Sequence, residues 1–419
     1  MTETADPARP AAGRTAAVAF IYVTIALDMI SMGIVIPVLP KLVLDFLGGD
    51  AAHTAKIVGL FSIAWATMQF IFSPLLGSLS DRFGRRPVVL ISNFGLGFDY
   101  LLMALAPGIW LLFVGRVIAG ITAASISTAY AYITDVTAPE KRAAAFGKMS
   151  MLFGLGFVCG PWLGGELGGI SPRLPFWVAA ALSLFNGCYG LLILPESLPR
   201  ERRGAFSWRR ANPLGSLILL SSQRELFGLA GVNLIMQVAH ASLPSLFILY
   251  GLYRYGWDTT TAGRCLAMIG LSQAIVGGFL VRPIVTRLGE RTSLIVGLAF
   301  GMMGFLLFGL ASSTFAMFAS IPVLALWGIG GPALQALMTR RVLVTEQGQL
   351  QGANSSITGV AGMIGPGIFT QVFAYFIQQE GVWYIPGSPY FLAALLMVAA
   401  VGLGWLVTRP SRMAVVHAG

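Results

Sequence analysis

The chain has 419 residues, of which 56% are hydrophobic and only 11% are charged. Soluble domains carry about 25% charged residues, so this composition excludes an ordinary water-facing globule. The net charge of +10 invites a nucleic-acid reading, which the placement of the positive charges excludes.

Apolar runs long enough to cross a hydrocarbon core of about 30 Å recur from end to end. Twelve are predicted, near residues 17–44, 55–79, 87–106, 109–134, 143–166, 175–195, 225–250, 260–281, 292–311, 315–338, 351–377 and 389–408. Of the 27 Lys and Arg, 21 fall in the two tails or in loops that follow an even-numbered span. Lys41, Lys56, Arg173, Arg254 and Arg264 lie in the opposite loops, and Arg116 lies inside a span. Positive charge is retained on the cytoplasmic side, so both termini are expected there. Residues 1–16 read as a disordered tail. No convincing cleavage site follows them, so the first helix is expected to be retained. Cys159, Cys188 and Cys265 sit at unrelated spacings in apolar runs, which fits neither a disulfide framework nor a metal cluster.

The first span contains Asp28, roughly 17 Å deep at 1.5 Å per residue. A carboxylate near the midplane costs about 2.5–3.5 kcal/mol on insertion scales and reads by default as functional. An aspartate kept only for packing is the competing reading. The second span carries Gln69 and leads into Gly77-Ser-Leu-Ser-Asp81-Arg82-Phe83-Gly84-Arg85-Arg86-Pro87. A positive-inside anchor explains these arginines but neither Asp81 nor Gly84, where a turn of positive φ is expected. The third span starts at Pro87 and places Asp99 roughly 18 Å deep, level with Asp28. The fourth contains Arg116, roughly 10 Å from the outer side, where a guanidinium needs an acidic partner or a wet cavity. Asp135 ends this span.

The fifth span holds Gly156, Gly160, Pro161, Gly164 and Gly165. Such spacing permits close helix approach, and a bendable seam between halves is a further reading. The Arg-rich segment 196–223 reads as a cytoplasmic linker, with Phe206 and Trp208 in a short interfacial helix.

The second half repeats the first. Thr286-Arg287-Leu288-Gly289-Glu290-Arg291 stands 205 residues after the Asp81–Arg86 run. The same offset relates Gly147 to Gly352, Gly160 to Gly365 and Pro161 to Pro366. A constant offset across unrelated loops and helices marks a duplicated unit. Asn233 takes the place of Asp28, and Gln237, His240, Gln273, Gln335 and Asn354 are the other candidates for polar substrate contacts. His240 reads as a hydrogen-bonded helix histidine or as a proton carrier. No phosphate loop and no metal-ligand spacing is present, so an ion gradient is the expected energy source and no cofactor is expected. The fold class is therefore an all-α membrane protein, with six-helix bundles over 17–195 and 224–408 and a tail over 409–419.

These features resemble the major facilitator superfamily, whose halves are parallel repeats. Gly77–Pro87 is similar to its signature loop, Gly156–Gly165 to its antiporter motif and Arg116–Gly120 to its fourth-span motif. The match to tetracycline/proton antiporters is closer, through Leu27-Asp28, Ile36-Pro37-Val38-Leu39-Pro40, Phe98-Asp99-Tyr100-Leu101, Pro332-Ala333-Leu334-Gln335-Ala336 and Gln347-Gly348-Gln349-Leu350-Gln351-Gly352. That resemblance implies a monomeric, multi-pass exporter in a bacterial inner membrane, with a drug, protons and lipid as its partners. It implies that Asp28, Asp99 and Arg116 couple protons. Gly77, Asp81, Arg82, Gly84, Arg85, Arg86 and Asp135 would form the gating loop. Gly301 and Gln273 stand where such antiporters have an aspartate and a histidine.

Alternating access is then expected, with raised pKa values for the two buried acids. Asp81 would lie against the N-terminal end of the eleventh span, and Arg85 would pair with an acid such as Asp135. A proton-coupled importer on the same fold, or a non-transporting receptor or scaffold, are the other readings. Mid-depth Asp28, Asp99 and Arg116 argue against a scaffold.

Overall fold

The computed structural model describes residues 11–122, 125–138, 141–203, 215–343 and 346–409. Every regular element among them is helical. The first half contains α1 (Ala11–Val35), α2 (Leu39–Phe46), α3 (Ala51–Phe83), α4 (Arg85–Leu105), α5 (Ile109–Thr122), α6 (Ser125–Val136), α7 (Arg142–Ile170) and α8 (Leu174–Ile193). The second contains α9 (Arg224–Tyr255), α10 (Thr259–Ile275), α11 (Val281–Leu310), α12 (Thr314–Ala325), α13 (Gly330–Thr339), α14 (Gln347–Ile377) and α15 (Ser388–Val407).

Among the described residues, nine stretches are long and apolar enough to cross a membrane. One of them, Thr259–Leu310, holds two of the expected spans, which meet at a kink at Gly289. The fourth expected span holds α5 and α6, and the fifth is α7. The rods thus follow the twelve-span plan. Only helices and closed barrels satisfy their own backbone in hydrocarbon, which is why the spans are helical.

Local signals set several boundaries. Asp50 accepts a hydrogen bond from the His53 amide at the start of α3, and Asp258 from the Thr261 amide at the start of α10. Each gives an otherwise orphan N–H a partner. Gly84 separates α3 from α4 at φ 105°, and Gly289 breaks α11 at φ 75°, with nearly equal ψ of 161° and 163°. Only glycine adopts this backbone cheaply, so the duplicated loop is duplicated in conformation as well. Pro87 falls in the first turn of α4, where a missing N–H leaves no bond unmade.

Two boundaries differ from the sequence reading. The helix of α1 begins at Ala11, so residues 11–16 belong to it rather than to a tail; residues 1–10 and 410–419 lie outside the described residues. The expected linker 196–223 is divided between the halves. Its start is held by the first half through Glu196. Residues Gly215–Ser222 form a 3-10 helix whose Leu219 and Leu220 are buried in the core of the second half. Phe206 and Trp208, expected in an interfacial helix, lie outside the described residues.

Within the first half α7 and α8 pack on α1, and α4 packs on α5 and α8. Within the second, α9, α11 and α14 pack around α15. The halves meet along two seams, α7 with α10 and α3 with α14. The glycine run of α7 serves two faces. A Cβ on Gly160 would lie 2.7 Å from the Gly33 Cα, while Gly156 and Gly164 press on Met29 and Ile34, all within the first half. Gly165 alone of the four turns to the second half, where its Cβ would lie 2.9 Å from the Gly263 Cα. The glycine run of α7 therefore serves a seam inside the first half as well as the expected seam between halves, where Gly168 and Gly169 also face Thr259 and Thr260 of α10.

Contacts between the halves gather at the end remote from the arginine-rich loops. There Arg264 pairs with Glu166 at 2.9 Å, and Thr260 donates to the Gly165 carbonyl at 3.3 Å. At the arginine-rich end, Arg85–Asp135 stays within the first half, and Arg341–Glu225 and Arg340–Glu290 within the second.

Candidate functional site

The first half buries both mid-depth carboxylates. Asp28 on α1 is 6% exposed and accepts a hydrogen bond of 3.0 Å from Asn186 Nδ2 on α8. The same amide donates to the Thr24 carbonyl at 3.1 Å, which fixes the amide orientation. Asp99 on α4 is fully buried, and its Oδ2 lies 3.3 Å from Arg116 Nη2 on α5. Arg116 is thus given the acidic partner its depth requires, and also touches the Met103 sulfur at 3.3 Å. A Cβ on Gly115 would sit 2.5 Å from Asp99 Oδ1, so glycine at this position lets the carboxylate reach α5.

At the arginine-rich end, Arg85 is the hub. Its guanidinium binds Asp81 at 2.5 Å, the Ser80 hydroxyl at 2.7 Å and Asp135 at 3.1 Å. The expected Arg85–Asp135 pair is present. Asp81 is held by Arg85 rather than at the start of α14, and its side chain is half-exposed. The Glu196 carboxylate accepts from the backbone amides of Arg85 at 2.8 Å and Arg86 at 3.3 Å, so it caps α4 from a distant segment. It also lies 3.8 Å from Arg203. Arg86 donates to the Leu191 carbonyl at 2.6 Å, while Arg82 is exposed and lies over the Phe83 ring. Gly77 closes no contact beyond accepting from Ser80.

In the second half the neutral candidates form chains. Asn233 donates to Asn354 at 3.0 Å, and Asn354 to Gln335 at 2.8 Å, joining α9, α14 and α13. Gln237 donates to Thr358 at 2.6 Å. His240 follows on the same face of α9 and packs beside Trp327 with ring centroids 5.6 Å apart. Among the described residues it has no side-chain hydrogen bond, so the hydrogen-bonded reading gives way to ring packing. It keeps accessible surface. Gln69 is half-buried and Gln273 is exposed, and neither joins these chains.

Gly301 has a physical reason to be glycine. A Cβ there would lie 3.0 Å from the Trp327 ring and 2.6 Å from Met397, so Trp327 fills the space a side chain would need. The residues that sequence reasoning passed over are Asn186, Glu196, Trp327 and Thr358. Asn186 alone carried a signal: a lone amide inside an apolar span invites the question asked of Asp28.

Over residues 21–366 the chain matches the family model described as Major Facilitator Superfamily. It is 39% identical to the tetracycline resistance protein of class C from Escherichia coli, over 89% of this chain and 93% of that protein. With the class G protein from Vibrio anguillarum it shares 36% identity over 88% and 94%. Among solved structures, a bacterial homolog of the human lysosomal transporter Spinster, inward-facing and occupied, aligns with a TM-score of 0.74 at 17% identity, covering 96% of this chain and 98% of that one. The match over most of its length and the two similar six-helix halves place this multi-pass membrane chain in the Major Facilitator Superfamily.

Proposed function

We propose that this protein exports tetracycline, or a related hydrophobic drug, across a bacterial inner membrane in exchange for protons. The observation that carries the reading is the pair of buried carboxylates, Asp28 and Asp99, in the first half. Asp28 is held by an amide and Asp99 by Arg116, and neither position is needed for insertion. The similarity to tetracycline resistance proteins supports the substrate class.

In this reading both termini are cytoplasmic, and drug enters a central cavity that opens toward the arginine-rich end. Asn233, Gln237, His240, Gln335 and Asn354 line its second-half wall, with Gln69 and Gln273 as outlying contacts. Protons taken up by Asp28 and Asp99 neutralise buried charge, and Arg116 holds Asp99 ionised until drug displaces that balance. Asp81, Arg82, Gly84, Arg85, Arg86, Asp135 and Gly77 form the gate. Closure would transfer Asp81 from Arg85 to the N-terminal end of α14, where the helix dipole favours negative charge. Gly156, Gly160, Pro161 and Gly164 keep α7 against α1, while Gly165 lets it meet α10 as the halves rock. The protein works as a monomer, without cofactor and without catalysis.

The test is drug accumulation. Cells making the protein should hold less tetracycline, read by its fluorescence, and a protonophore should abolish the difference. Asp28→Asn should lose active export at normal protein level. Greater accumulation in producing cells would restore the importer reading, and no difference for any drug would restore the scaffold reading.

A further inference from the structure

The interior of the first half contains polar atoms that the coupling pair does not use. Thr24 Oγ1, Ser92 Oγ, both amide atoms of Asn93, Thr128 Oγ1, Ser183 Oγ and Asn186 Oδ1 are buried with no hydrogen-bond partner within the protein. Each of these residues is at most 2% exposed. Unmatched buried polar atoms carry their full desolvation cost, and native interiors tolerate only a few. Others lie in the second half, but these seven fall on first-half helices that pack together.

Helix register brings them to one place. Gly97 of α4 meets Leu184 of α8, and Gly187 of α8 meets Phe94 of α4, so the two helices run opposite and level there. Asn93 shares the face of Gly97 one turn away, which sets it beside the turn of α8 that carries Asn186. Asn186 binds Thr24 and Asp28 on α1. On the other face of α4, Gly95 meets Thr122 of α5, and α4 packs on α6, which carries Thr128. The result is a polar seam between α1, α4, α6 and α8. It starts at Asp28 and runs toward the arginine-rich end.

The seam stops at an apolar plug. Ile21, Val89, Tyr132, Ile133 and Leu194 form one buried cluster between it and that end. Tyr132 turns its hydroxyl away, to the Pro195 carbonyl at 2.9 Å.

We infer that this seam binds a file of ordered water and conducts protons between Asp28 and the arginine-rich end, apart from the drug cavity, with the plug as its gate. Buried water typically makes about three hydrogen bonds to otherwise unsatisfied polar groups, and the seam presents hydroxyls and amides, which both donate and accept. A proton leaving the Asp28 carboxyl passes to the first water and regenerates the carboxylate. Each later water accepts one proton and gives up another, so charge crosses without any heavy atom moving. Asn93 is a positioning residue for this water, since its amide can both donate and accept.

This inference rests on the exchange of protons for drug, and the experiment separates the two. Purified protein in liposomes is given tetracycline, and proton flux is read with a pH-sensitive dye; drug binding is read separately by fluorescence. If the unmodified protein moves no protons on drug addition, the functional reading fails. Given flux in the unmodified protein, Asn93→Leu should lower it at least about tenfold while the drug Kd stays within about twofold, because a leucine fills the seam without offering hydrogen bonds. Asn93→Ser should restore much of the flux. Ile133→Ala should open the plug and allow a proton leak without drug. Unchanged flux in Asn93→Leu would overturn the inference, as would parallel loss of flux and drug binding. Should Asn93→Leu fail to fold, a tight Ile133→Ala with no leak would overturn it alone.

Discussion

Arg116 reaches from α5 to within 3.3 Å of Asp99 on α4, and the carboxylate it meets is fully buried. Removing one partner of a buried pair leaves an uncompensated charge, which costs about 3–5 kcal/mol. Arg116→Ala should therefore destabilise strongly, and the added change Asp99→Asn should return much of that loss. Thermal unfolding in detergent reads both. If the double variant is no more stable than Arg116→Ala, the pair does not set stability here.

Asp99→Asn on its own should spare folding and eliminate tetracycline-driven proton movement in membrane vesicles. Arg116 then loses its counter-charge but keeps some surface through which to remain hydrated. Intact proton flux in this variant would leave Asp28 as the only coupling acid.

The gating loop makes an ordered prediction. Asp81 contacts Arg85 alone and is half-exposed, so Asp81→Asn should cost less than about 1 kcal/mol of stability. Arg85 holds Asp81, Asp135 and Ser80 together, so Arg85→Ala should be the more damaging change. Both should reduce drug efflux at normal protein level. Full efflux by both would leave the loop as a topological anchor only.

Glu196 caps α4 through the amides of Arg85 and Arg86. Losing such a cap costs about 0.5–2 kcal/mol. Glu196→Ala should lower the unfolding free energy by that amount, and with it the unfolding temperature, and loosen the hub at Arg85, so efflux should fall as in Arg85→Ala. Wild-type efflux with lowered stability would confine Glu196 to helix capping.

Gly301 faces the Trp327 ring, which cannot move aside as a methionine can. Gly301→Asp should overpack this contact at a cost of about 1–3 kcal/mol, before the cost of burying the charge is added. Trp327→Ala in the same chain should make room and restore protein abundance. If Gly301→Asp alone is as abundant as the unmodified protein, the packing account of this glycine is wrong.

Much of the architecture was legible in the amino acids. Hydrocarbon admits few backbone solutions, so run length and the Lys/Arg bias were enough for the spans, and a constant 205-residue offset exposed the duplication. Burial was legible for the same reason: rise per residue along a helix set Asp28 and Asp99 well inside their spans, and both are buried. The Arg85–Asp135 pair followed because a charged loop beside an acidic helix end has few partners.

What sequence could not supply was azimuth, the direction in which each residue looks from its helix axis. Only packing decided that Arg116 meets Asp99, and that Asp28 is held by Asn186 from the sixth span. The same holds for the glycines of α7, of which Gly156, Gly160 and Gly164 serve α1 while Gly165 serves α10. It holds for the linker, whose two ends were claimed by separate halves, and for Gly301, whose missing side chain is explained by a tryptophan on another span. Spacing along one helix fixes height and relative face. Which neighbour occupies that face is settled when all the helices are packed together, by shape complementarity and by the need to give each buried charge a partner.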